Sequence, residues 1–113
     1  MQRSASMTPA ADPADVLELR SRLTHDRAFA MRAADLRRDG LDYRGMARAL
    51  ALAARFTSDA PVAADLYLRA GRSAAAQGDR AEARAWLGKA RDLATDAGLR
   101  TEAVRALHDL PAN

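Results

Sequence analysis

Residues 67–90 read YLRAGRSAAAQGDRAEARAWLGKA, and the pair Gly78-Asp79 divides them into two helices joined by a tight turn. The second helix is expected to run from 79 to about 97. At about 100° per residue, Ala83, Trp86, Leu87, Ala90, Leu93, Ala94 and Ala97 fill one contiguous apolar arc, and Arg80, Arg84, Lys89, Arg91, Asp92 and Asp96 fill the remainder. An arc that wide predicts a helix contacted on two sides, by the helices before and after it. The surroundings repeat: Arg44, Arg48 and Arg55 recur 36 residues later as Arg80, Arg84 and Arg91, and Ala47, Ala49 and Ala54 recur as Ala83, Ala85 and Ala90. A recurrence at this period is the mark of stacked helical hairpins, each burying the next.

Composition agrees. A chain of 113 residues suggests one domain, small enough to be marginally stable. Apolar residues make up 49% but aromatics only 4%, so the core must be built from small side chains and closely spaced helices. There is no isoleucine, and the valines are Val16, Val62 and Val104. Strands favour β-branched and aromatic residues, whereas Ala, Leu and Arg are strong helix formers. The expected class is all-α. Net charge is +3, carried almost wholly by arginine, with Lys89 the sole lysine and the acidic residues interspersed. That is a mixed surface rather than a polycation, and it disfavours nucleic acid as the partner. The absence of cysteine excludes disulfides, thiolate metal sites and cysteine nucleophiles. No apolar run approaches the ~20 residues of a membrane span, and Met1 to Ala14 lacks the apolar core of a secretory leader. Cytoplasmic residence is the expectation; the small, polar, Pro-containing start of the chain would suit a tether at the cell envelope had a leader been removed.

Punctuation along the chain gives the helices. Residues 1–11 are expected to be a disordered tail, and 12–110 a single helical domain. Asp12 caps a helix with Pro13 in its first turn and Asp15 near its positive end, carrying Val16, Leu19 and Leu23 on one face. Thr24-His25-Asp26 either continues it or caps a second helix, whose stripe is Phe29, Met31, Ala34 and Leu36 and whose stop is Gly40. Asp42 caps a helix from Tyr43 to about Phe56. Thr57 to Pro61 is a break, the next helix reaches about Gln77, Gly98 ends the long one, and a short capping helix covers 100–110 before Pro111.

On these residues the chain resembles the tetratricopeptide repeat. The pattern asks for an aromatic early in the first helix, matched by Tyr67, then a small residue four later, matched by Gly71. It asks for a small residue where the second helix crosses the first, then a bulky apolar residue and a further alanine, matched by Ala83, Leu87 and Ala90. Ala70 and Ala74 replace the usual leucine and aromatic, and Thr95 stands where proline is common. One unit spans about 64–97. A degenerate one spans about 28–61, with Asp35 at the place of Gly71. The helix at 100–110 begins an incomplete third. The resemblance implies antiparallel hairpins stacked as a short right-handed superhelix, with a plain helical bundle as the alternative.

The resemblance also implies a function: a non-catalytic scaffold or adaptor that binds a peptide or protein segment on a concave face lined by first helices. Carried over by position, that face holds Phe29, Arg32, Leu36, Asp65, Leu68, Arg72 and Ala75, with Arg32 and Arg72 placed to grip a carboxylate. The asparagine and lysine set of chaperone-binding members is absent. With only two units and a fraction, the ends must be capped or the domain must self-associate, so a structural, self-associating subunit is the first alternative. A binder of nucleic acid or anionic surface, using the arginine rows 44/48/55 and 80/84/91, is the second; solvated arginines covering apolar surface with their stems are the simpler reading. Trp86 is expected to pack on the last helix, with an interface anchor as the other reading, and Tyr67 to lie in the core. Tyr43 belongs at an inter-helix turn, and His108 is expected to be half-buried. His25 and His108 stand alone, and Asp35/Asp39 and Asp92/Asp96 have no histidine beside them. No phosphate-binding loop, nucleophile elbow or metal motif is present. No enzyme activity, cofactor or metal is predicted.

Overall fold

Each helix begins directly after an aspartate. The computed structural model describes residues 12–111. Within them lie α1 (Pro13–Thr24), α2 (Arg27–Asp39), α3 (Tyr43–Arg55), α4 (Ala60–Ala76), α5 (Arg80–Leu93) and α6 (Ala97–His108), and no strand. Asp12, Asp26, Asp42, Asp59 and Asp96 accept hydrogen bonds from backbone N–H groups of the first turns they precede, satisfying donors that have no partner inside the helix. Asp79 holds the same place without that bond. The tail expected at 1–11 lies outside the described residues.

Links of two to four residues force consecutive helices to run antiparallel, and each helix packs chiefly on its neighbours in sequence. Next-but-one contacts join α1 to α3 and α4 to α6. The protein is therefore all-α, built as a procession of hairpins. Most buried apolar residues are alanine, so helix axes approach closely. α4 and α5 approach closely at Gly71, where an added Cβ would stand 2.5 Å from Leu87 Cγ and 3.1 Å from its backbone nitrogen. Tyr67, Gly71, Ala83, Leu87 and Ala90 are all buried at the α4–α5 packing.

Several boundaries differ from those expected. The long helix of 79–97 is two: Ala94 turns to extended backbone at φ −65° and ψ 125°, and Asp96 caps α6 through Leu99 N. Gly98 thus lies inside the first turn of α6, and the last helix starts at Ala97, not 100. The apolar periodicity ran through this break because Ala94 and Ala97 sit in step on either side of it. The helix buried on several sides is not α5 but α3, together with α4; α5 buries only Ala83, Leu87 and Ala90. Gly40 does stop α2, directly after Asp39, but the left-handed residue there is Leu41, at φ 63°. His108 is exposed, because α6 ends the stack and only Ala103 on it is fully covered.

Candidate binding cleft

Four helices open a cleft of about 410 Å³ on the side where α1, α3 and α5 lie together. From α3 come Arg48, Ala51, Leu52 and Arg55, spaced i, i+3, i+4, i+7 and so on one face. From α5 come Trp86 and Lys89, one turn apart; α4 adds Tyr67 and α1 adds Arg22. The floor is apolar and the walls are cationic, with no carboxylate among the lining residues. Arg48 leans out to Glu82, 3.4 Å from its Nε. Among the described residues no carboxylate pairs with Arg22, Arg55 or Lys89. Lys89 instead stands 5.8 Å from the Tyr67 ring centre, and Arg55 lies 5.6 Å from that of Phe56, which stacks on His25 at 4.8 Å.

Burial pushes the Tyr67 phenol above its ordinary 10.0, and the positive charge of Arg55 pulls back against it. A raised folded-state value makes the neutral phenol a stabilising feature that is whole below pH 10 and lost as pH climbs through the folded value. In a Tyr43→Phe protein, which keeps Tyr67 as the only tyrosine, the phenolate absorbance is expected to emerge above pH 10.0. Emergence at or below that pH would mean the ring is solvated.

The face derived from the repeat resemblance is dispersed. Leu68 is 3% exposed and belongs to the core, where α4 turns it toward its neighbours, so its assignment to a partner surface is corrected. Arg72 bonds Glu102 of α6 at 2.9 Å. Asp65 borders a shallow depression with Arg27, Met31 and Arg69, whereas Leu36 lies by Pro13 and Ala14 at the start of α1. Phe29 is half-buried; Arg32 and Ala75 are exposed. Trp86 lines the cationic cleft and is only partly buried there. Acidic partners cross the arginine rows at three places: Arg44 meets Asp79 at 3.3 Å, Arg48 meets Glu82 and Arg91 meets Asp92 at 3.0 Å; Arg80 also donates to the Pro111 carbonyl.

Arg37 escaped the sequence reading. Its guanidinium makes two parallel bonds to Glu18, at 2.7 and 3.1 Å, and further bonds to Asp15 at 2.6 Å and Asp42 at 3.1 Å. These raise its pKa above the ordinary arginine range, the Glu18 hydrogen bonds most of all, while burial works in the opposite sense. Gly45 leaves room for its stem, since a Cβ there would meet both Arg37 and Asp42. Among the described residues no group of three or more His, Cys, Asp or Glu is arranged to hold a metal, and no helix is long and apolar enough to cross a membrane. No protein-family model, curated protein or solved structure matches the chain.

Proposed function

We propose that the chain is a non-catalytic protein-binding module of tetratricopeptide-like construction, and that it holds an acidic segment of another protein in the α1–α3–α5 cleft. The observation that carries this reading is the cleft itself: Arg22, Arg48, Arg55 and Lys89 around an apolar floor with Trp86 and Tyr67. Arginine forks take carboxylates in two-point contacts, and aromatic and arginine side chains are the usual anchors of peptide interfaces. Sequence-neighbour packing and the small-residue crossing at Gly71 support the repeat-like construction. The carboxylates interleaved along the arginine rows support a peptide over a nucleic-acid backbone, which is gripped by a continuous cationic track.

Trp86 is the sole tryptophan and reports on the cleft directly. Peptides selected from a random displayed library are expected to be rich in Asp and Glu around an aliphatic or aromatic residue and to shift Trp86 emission on titration. Arg48→Glu with Arg55→Glu is expected to weaken them at least ~10-fold, helical circular dichroism unchanged. Selection of peptides that bind the double variant equally well, or a steep salt-dependent preference for oligonucleotides over every peptide, would overturn the reading.

A further inference from the structure

The largest exposed apolar side chains do not lie in the cleft. Three of them, Val16, Leu19 and Leu23, stand on α1, the last two 54% and 74% exposed. At about 100° per residue they fall within one 60° sector. That sector faces away from Ala14 and Ser21, which are buried against the stack. It is the outer face at the α1 end; α6, at the other end, exposes only Val104 among its large apolar residues.

The charges of α1 say what fits there. Acidic residues occupy its first half, Asp15 and Glu18, and basic residues its second, Arg20 and Arg22. A second α1 laid across the stripe in the opposite direction puts Val16 of each copy on Leu23 of the other and brings the two Leu19 residues together near a two-fold axis. On the same flank Asp15 of one copy then comes within an arginine's reach of Arg22 of the other. Asp15 keeps 66% of its side chain exposed despite its bond to Arg37, and Arg22 has no pair among the described residues. The parallel arrangement sets like charge on like. Residues 1–11 do not complement this face, since they carry Arg3, no carboxylate and only Met1 and Met7 as large apolar residues.

We infer that two copies of the chain associate through α1 in antiparallel, isologous fashion. A single helix pair buries less than the ~1,200 Å² of standard interfaces, so the dimer is weak, with a dissociation constant on the order of 100 μM. This pairing does not rest on the cleft reading; it shares Arg22 with it, so an occupied cleft and a formed dimer compete.

Sedimentation equilibrium from about 10 μM to about 1 mM is the test. The mass is expected to rise from 12.2 kDa toward twice that and level off. Leu19→Glu with Leu23→Glu, neither of which lines the cleft, is expected to stay monomeric throughout while binding cleft-directed peptides as wild type does at about 10 μM, where both are monomers. Because the chain lacks cysteine, Leu19→Cys supplies a register check: mild copper-phenanthroline oxidation is expected to yield a covalent dimer, and Cys substituted for Leu36 is not. A monomer at the highest concentration, dimerisation that survives the double glutamate variant, or growth beyond two copies would overturn the inference, the last by requiring an open head-to-tail contact.

Discussion

Leu87→Ala is expected to lower the unfolding free energy by about 2–5 kcal/mol, the range for emptying a sealed leucine site. Leu87 has no exposed surface and is the largest apolar side chain so enclosed. A domain of this size has about 5–15 kcal/mol in all, so the variant loses a large share of it and is expected to melt well below wild type. Nothing nearby can collapse into the space cheaply, because the facing residue is Gly71 and most of the surrounding core is alanine. The same geometry predicts a coupling. Gly71→Ala alone is expected to cost about 1–3 kcal/mol by overpacking, since its methyl would stand 2.5 Å from Leu87 Cγ. That strain outweighs the ~1 kcal/mol that replacing a mid-helix glycine normally returns. With Leu87 already cut to alanine, the clash with its Cγ is gone and only the 3.1 Å contact with its backbone nitrogen remains, so Gly71→Ala is expected to cost clearly less than in wild type. Urea denaturation of the four proteins gives the cycle. Additive effects would mean that α4 and α5 do not cross at Gly71.

Helix starts were legible because aspartate capping is a local event. Asp12, Asp42 and Asp59 each precede a run whose apolar spacing turns helical, and the structure places a capping bond at each. Asp96 obeys the same rule and was missed: alanines at 90, 94 and 97 kept the helical period alive across the break, and Gly98 mimicked a stop. The signal was the Asp96-to-Leu99 spacing before a second apolar stripe. The cleft was legible only in parts. Arg48, Arg55, Tyr67 and Trp86 drew notice, but which side of a helical stack opens is set by how far neighbouring helices splay, and single-helix periodicity does not encode that. The repeat resemblance assigned the partner surface to the α2 and α4 side, where Leu68 is buried and Arg72 is engaged by Glu102. Arg37 left no trace at all, because its partners Asp15 and Glu18 are a whole helix away in sequence and nothing in the spacing singles out that arginine among eighteen basic residues.

Arg37→Met is expected to destabilise the folded chain by about 2 kcal/mol at neutral pH. Removing one partner from a buried ion pair costs more than that, about 3–5 kcal/mol. Here Asp15 and Asp42 have about half or two thirds of their side chains in water, which screens what is left behind, whereas the Glu18 side chain is only 13% exposed and bears most of the loss. Three linkages fail together: α1 to α2 through Glu18 and Asp15, and the turn between α2 and α3 through Asp42. The variant crowds carboxylates around an empty centre, and wild type holds them to a guanidinium that stays protonated. Salt screens both the wild-type attraction and the variant's repulsion, so the stability gap is expected to narrow as ionic strength rises. Thermal melts at pH 7 in low and high salt measure that gap. Arg37→Lys keeps the charge but loses the fork that spans Glu18, Asp15 and Asp42 at once, and should recover less than half the loss. A gap that is independent of salt, with Arg37→Lys no better than Arg37→Met, would mean that Arg37 acts through the packing of its stem and not through its charge.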